Sequence, residues 1–227
     1  MGKIIVLMGK SASGKSELEK YVHSLGIKKV TSLTTRDIRQ VEVNGEDYFF
    51  VNKTVFGVYL REGAFAEITS YPKTTGRVYY GTLKCDYDLE NNNYVCVLNP
   101  QGTKQLIDTF GRDKVVGVLI NRPCVERLES YLSRALGRDI KDYIGSYEEE
   151  EDIRVEPHLE EFTRRFKADN IDFSNENLDG IVDYEIENCN SLWLAKRILL
   201  NVLGNEDIIS TAEHLEYEKE LRQERRR

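Results

Sequence analysis

The sequence predicts a mixed α/β fold: a mainly parallel sheet flanked by helices, with a small β-rich lobe set into it. Three observations carry this. Residues Lys3–Met8 are a continuous aliphatic and β-branched run, as expected of a strand covered on both faces. That run meets a glycine-bearing turn, Gly9–Ser16, and then a segment with Leu18, Val22 and Leu25 at helical spacing. Strand-like and helix-like segments keep alternating afterwards, the order that lays helices over a parallel sheet.

A second strand is expected at Lys29–Leu33. From Thr34 to about Leu83 the character changes: a turn signal at Asn44-Gly45, alternating aromatic and β-branched residues, and Gly63, Gly76 and Gly81. This stretch reads as short strands around one helix near Lys53–Glu62. The core resumes with a strand at Tyr94–Leu98, a helix after Pro100, a strand at Lys114–Asn121 and a helix from about Pro123 to Leu136. Gly137 to about Asp169 is the least regular part, and its "SYEEEEDI" reads as a solvated surface. A strand at Ile181–Asn188 and a helix through "SLWLAKRILLNVL" close the core. From Asn205 the tail reads as a charged helix with Ile208, Ala212 and Leu215 on one face and a Glu218–Arg222 pair.

In domain terms, residues 1–32, 84–136 and 170–204 form the core, 33–83 the lobe, 137–169 a lid and 205–227 the tail. With 227 residues, 40% hydrophobic and 31% charged, the chain has the composition of a soluble globular protein. A net charge of -7 argues against a nucleic-acid or membrane-surface binder, while leaving room for a local basic pocket. Cys85, Cys96, Cys124 and Cys189 are widely spaced and read as buried free thiols rather than metal ligands. The amino-terminal apolar run is too short to span a bilayer and lacks a cleavage-type signal, so the expected compartment is the cytoplasm.

"GKSASGKS", Gly9–Ser16, matches G-x-x-x-x-G-K-[ST] between a predicted strand and a predicted helix, the context that this motif requires. The expected ligand is a nucleoside triphosphate with Mg²⁺. Glycines let backbone N–H groups turn inward on the phosphates, and the helix start adds a positive dipole end. Gly9, Ser11, Ala12, Ser13 and Gly14 line the expected loop, Lys15 bridges the outer phosphates, and the Ser16 hydroxyl is the metal ligand.

The stretch Ser32–Val51 follows the pattern S-x-T-T-R-x-x-R-x-x-E-x-[ND]-G-x-D-Y-x-F-V. With the phosphate loop, it makes the chain similar to guanylate kinases over about Lys3–Gly204. The resemblance implies the P-loop nucleoside monophosphate kinase fold, in which the β-rich lobe binds the acceptor and residues 137–169 form a helical lid. It implies ATP-dependent phosphorylation of GMP or dGMP, with Mg²⁺ as cofactor. Carried over by position, Arg36, Arg39, Tyr48 and Tyr80 would hold the GMP phosphate, and Glu42 would orient the arginines. Glu67 would accept from the guanine N–H groups, and Ser32 and Thr82 would donate to its O6. Arg138 and Arg165 would clamp the transferred phosphoryl from the lid, in a region that also offers Arg134 and Arg164. Asn188 would lie near the donor adenine. The residue types suit those tasks, since a guanidinium fork matches phosphate and a carboxylate beside hydroxyls matches the Watson–Crick edge of guanine.

The chain departs from the family at "VLNPQG", where Val97 and Asn99 stand at positions that the family fills with acids. Valine cannot support a metal, so the ion would rest on Ser16, phosphate and water; Asn99 can still offer a carbonyl to the guanine amino group. The same departure motivates two alternatives: a guanylate-kinase-like binding module with little catalysis, or a related phosphotransferase with another phosphorylated acceptor.

Overall fold

The computed structural model describes residues 1–39, 42–73, 76–137, 149–189 and 191–225. In chain order these form β1 (Ile4–Met8), α1 (Lys15–Ser24), β2 (Lys28–Lys29), β3 (Leu33–Thr34) and β4 (Phe49–Phe50). There follow α2 (Lys53–Arg61), β5 (Phe65–Lys73), β6 (Gly76–Leu83), β7 (Tyr94–Val97) and α3 (Pro100–Phe110). The chain continues with β8 (Val115–Asn121), α4 (Cys124–Leu136), α5 (Glu149–Asp172), α6 (Asn175–Leu178), β9 (Tyr184–Glu187), α7 (Leu192–Asn205) and α8 (Thr211–Glu224). It divides into two compact units, Met1–Leu7 with Glu19–Gly117 and Met8–Leu18 with Val118–Arg227.

In the first unit β7 runs parallel to both β1 and β2, with Ile4 opposite Tyr94 and Lys28 opposite the same residue on the other side. Ile4–Leu7 are fully buried, which is why this strand shows an unbroken apolar run rather than alternation. A second sheet has the order β4-β3-β6-β5 and is antiparallel except for the β3–β4 pair. Helix α2 begins where the Asn52 side chain accepts from the Val55 N–H at 2.9 Å, and it buries Phe56 against this sheet. Phe56 stacks on Phe65 with ring centroids 4.4 Å apart, in a cluster with Leu33 and Leu83. Helix α3 starts at Asn99 with Pro100 in its first turn, where a missing N–H costs nothing, and it packs on β5.

In the second unit β8 and β9 pair in parallel from Val118–Tyr184 to Asn121–Glu187. Helices α4 and α5 join through Tyr131, Leu132 and Phe162. Helix α7, capped by Ser191, buries Ala195, Leu199, Leu200 and Leu203. Helix α8 opens with a reciprocal Ser210–Glu213 capping box and lies on α7, where the Trp193 indole N–H donates to the Leu221 carbonyl at 2.7 Å.

The differences from the sequence reading have local causes. The strand expected at Lys29–Leu33 is two short strands, because the chain leaves one sheet after Lys29 and enters the other at Leu33. Much of the stretch read as irregular is α5, whose Phe162 and Phe166 share a face while Pro157 and dense charge hide the helical pattern. In the tail, Leu215 is exposed; Ile208 is buried in the turn before α8, and Leu221 is the residue α8 buries. The expected Glu218–Arg222 pair is present at 2.9 Å. Cys96 alone among the four thiols is fully withdrawn, whereas Cys85 and Cys124 are exposed. Among the described residues no helix is long and apolar enough to cross a membrane.

Truncating the ring at the centre of the lobe cluster tests this packing. Phe56→Ala should cost about 3–5 kcal/mol in urea unfolding; a loss below about 1 kcal/mol would contradict the burial described.

Candidate functional site

In the second unit, Gly9–Ser16 forms a tight loop that leads into α1. Gly14 has φ 95°, and a Cβ there would run into the Asn188 side-chain amide. That amide is buried and donates to the Ser13 carbonyl at 2.8 Å, so Asn188 braces the loop from the end of β9. Ala12 adopts φ 61° without being glycine, and its methyl packs against the Tyr131 cluster.

Lys15 folds over the loop, donating to the carbonyls of Gly9 at 2.7 Å and Lys10 at 2.9 Å. Burial draws its ammonium down from 10.5 to about 8; Asp169 opposes that shift, while Arg127 and Arg134 reinforce it. Ser16 sits exposed in the first turn of α1.

Two residues that the sequence reading passed over complete this arrangement. Asp169 on α5 accepts from the Ser11 N–H at 2.8 Å and from its hydroxyl at 3.2 Å. Arg127 on α4 is buried, donates to the Ser11 carbonyl at 3.2 Å and lies 3.4 Å from Asp169. The next residue, Asn170, accepts from the Lys10 ammonium at 2.7 Å. Arg127 does carry one sequence signal, since Arg127, Tyr131 and Arg134 fall on one face of α4. Asp169 carries none.

Of the arginines expected in a lid, Arg165 donates to Glu161 at 2.8 Å and lies 5.5 Å from the Tyr131 ring, and Arg164 is tied to the same Glu161. Arg138 lies outside the described residues.

In the first unit, the β5–β6 hairpin builds a polar face. Phe65 pairs with Leu83 but Glu67 pairs with Thr82, so β5 carries one extra residue, Ala66. Regular alternation would put Phe65 and Glu67 on the same face. The bulge instead leaves Phe65 in the apolar cluster and turns Glu67 to the opposite face, with Thr82, Thr69 and Tyr80. Gly81 allows this: a Cβ there would come 2.7 Å from the Glu67 carbonyl and 2.8 Å from the Phe65 ring.

Glu67 is 2% exposed. Its Oε1 accepts from the Thr82 hydroxyl at 3.2 Å, and that hydroxyl is 3.1 Å from Tyr87. Its Oε2 is buried without a hydrogen-bond partner among the described residues. Burial pushes the Glu67 carboxyl up from 4.5 to about 7, with the Thr82 hydroxyl and backbone pulling the other way. Asn99 lies beside it but has another duty: its side-chain carbonyl accepts from the Gly102 N–H at 2.9 Å and from Thr69 at 3.4 Å, capping α3. That carbonyl is therefore already engaged, and Thr69 is a polar neighbour the sequence reading omitted.

Elsewhere in the lobe Arg36 is buried and forked onto Glu42, with Nη1 and Nη2 each 2.8 Å from a carboxylate oxygen. Its Nε donates to the Tyr80 hydroxyl at 3.2 Å, and its guanidinium lies 5.3 Å from the Tyr48 ring centre. The hydrogen bond from Arg36 holds the Glu42 carboxyl down at about 2, and the same bond raises Arg36 against the effect of burial. Arg36, Glu42, Tyr48 and Tyr80 thus stand together. Arg39 is at the edge of this group: its backbone N–H donates to Glu42 at 2.8 Å and its Nη1 lies 3.9 Å from the same carboxylate, but its side chain is 64% exposed. Ser32 contributes its carbonyl to the Phe49 N–H at 2.9 Å.

The guanylate kinase family profile matches residues 1–185. The guanylate kinase of Colwellia psychrerythraea is 28% identical over 222 residues, covering 93% of this chain and 98% of its own. That of Mesomycoplasma hyopneumoniae is 27% identical over 195 residues, covering 80% and 91%. The crystal structure of guanylate kinase from Anaplasma phagocytophilum superposes with a TM-score of 0.58 at 21% identity, covering 92% of this chain and 88% of that one, a likeness of fold.

The Asp169 charge can be tested at Lys15. Asp169→Asn keeps an acceptor for Ser11 but removes the anion that supports the ammonium. The Lys15 titration midpoint, followed by pH-dependent amine labelling and mass spectrometry, should move below about 8. A midpoint that stays put would show that Asp169 does not act on Lys15.

Proposed function

Because the chain belongs to the guanylate kinase family, as the match over residues 1–185 shows, we propose that it transfers the γ-phosphoryl group of ATP to GMP or dGMP. The observation that supports this acceptor most directly is Glu67 Oε2, a buried carboxylate oxygen with no partner among the described residues. Leaving such an atom unpaired is costly, and the cost is relieved by a ligand that brings N–H donors. Guanine presents two adjacent ones, on N1 and on its amino group. Adenine offers no N1–H and would leave the carboxylate unmatched.

The GMP phosphate would meet Arg36, already oriented by Glu42, with the Tyr48 and Tyr80 hydroxyls and the Arg39 fork arriving from solvent. ATP would place its phosphates along Ser11–Ser16, with Lys15 turning from the loop carbonyls to phosphate oxygens and Asn188 beside the donor base. Arg165 on α5, and Arg138 by the family pattern, would add charge against the transferring group.

The Ser16 hydroxyl, exposed at the head of α1, fits a Mg²⁺ ligand. Among the described residues no cluster of three or more His, Cys, Asp or Glu side chains could hold a metal, so its other ligands would be phosphate oxygens and water. The ion would neutralise charge on the outer phosphates. No general base is required, since the acceptor is itself an anionic phosphate oxygen.

An acceptor panel of nucleoside monophosphates with MgATP tests this reading, and turnover of GMP or dGMP well above AMP, CMP and UMP is expected. Glu67→Ala should lower kcat/KM for GMP by about 2–4 kcal/mol, roughly thirty- to a thousand-fold. Absence of GMP and dGMP turnover would refute the reaction, and an unaffected Glu67→Ala enzyme would refute the assigned base contact.

A further inference from the structure

The turn of α8 back onto α7 makes a cavity of about 410 Å³ lined by Trp193, Arg197, Arg222 and Arg225. The indole is held by its N–H bond to the Leu221 carbonyl. Its ring carries two guanidinium groups, Arg225 at 4.5 Å and Arg197 at 5.7 Å from the centroid. The charges around this cavity are unequal. Glu218 is 3.5 Å from Arg197 and 2.9 Å from Arg222, so one carboxylate serves two arginines. The adjoining Lys196–Glu224 pair neutralises itself at 2.6 Å. Arg225 has no carboxylate partner among the described residues. Three guanidinium groups against one carboxylate leave two positive charges at one cavity, in a chain whose net charge is -7.

Packing α8 on α7 explains the indole and one covering arginine. It does not explain a third guanidinium without a counter-ion. A guanidinium resting on an aromatic face keeps its edge N–H groups directed outward, in the planar fork that fits phosphate oxygens. From this geometry we infer a second anion site, distinct from the phosphate loop, that takes a compact polyanion of the di- or triphosphate class on Arg197, Arg222 and Arg225. Trp193 is the floor of this site.

The test uses the full chain and its single tryptophan, which places the reporter inside the cavity. Pyrophosphate titrated at constant ionic strength should change Trp193 emission saturably, and raised salt should weaken the effect. Lys15→Ala, which disables the phosphate loop, should leave the response intact, so failure of the proposed kinase reaction does not affect this result. Arg225→Ala should weaken binding at least tenfold, and Arg225→Lys, which keeps the charge but loses the fork, should fall between. Circular dichroism of each variant checks that α8 remains folded. ATP binding at least as tightly as pyrophosphate would assign the site to a nucleotide, and binding of pyrophosphate alone would assign it to the free oxyanion; both support the inference. It is overturned by no saturable response to either, by a response that survives Arg225→Ala, or by a response to an acidic peptide but not to pyrophosphate.

Discussion

Glu67 is a carboxylate held at 2% exposure with one oxygen hydrogen-bonded and the other empty-handed. Folding strips such a group of water, which is why its affinity for a proton rises to about 7. Much of the lobe exists to hold it there. The bulge at Ala66 separates it from Phe65, Gly81 leaves room for the bulge, and the Phe56–Phe65 stack anchors the apolar side of the same hairpin. An unpaired buried oxygen costs stability, and the apolar cluster on the other face of the hairpin contributes in the opposite direction.

Arg36 shows a different solution to the same problem. Its charge is also buried, but Glu42 forks onto it and Tyr80 takes its Nε, so it is satisfied before any ligand arrives. On the proposed reading, this contrast would give the two ends of the acceptor different tasks. The phosphate would meet a pre-oriented charge pair, which gives attraction and position; the base would meet an unmet acceptor, which gives discrimination. In the second unit, Asp169 on α5 and Arg127 on α4 grip Ser11, so the Gly9–Ser16 loop is held by elements distant in sequence as well as by its own glycines.

The features legible in the sequence were those encoded contiguously. The loop Gly9–Ser16 and the run Ser32–Val51 each carry their chemistry within twenty residues, and the parallel α/β pattern follows from alternating periodicities. What escaped reading depends on long-range packing. Ser11 meets Asp169 across 158 positions and Arg127 across 116; the helical spacing of Arg127 with Tyr131 and Arg134 is the one local pattern, and nothing local marks Asp169. The bulge at Ala66 is invisible because "FAEIT" reads as ordinary alternation. Asn99 looked like a substituted acid; in the fold it is the cap of α3, a duty that Asn performs as well as Asp and that Pro100 after it signals. Helix α5 is hidden by its charge, since Val155, Phe162 and Phe166 are sparse markers of its packed face.

The central claim is that Glu67 waits for a base bearing two N–H donors. It is tested most directly by carbon-13 NMR titration of the Glu67 side-chain carboxyl, with and without GMP. Without ligand the carboxyl should titrate near 7. With GMP bound, two N–H donors favour the ionised form, so the midpoint should fall by more than about one unit, and GMP affinity should rise with pH through the same range. A midpoint near 4.5 in the free protein, or one that GMP leaves unmoved while AMP shifts it, would contradict the account.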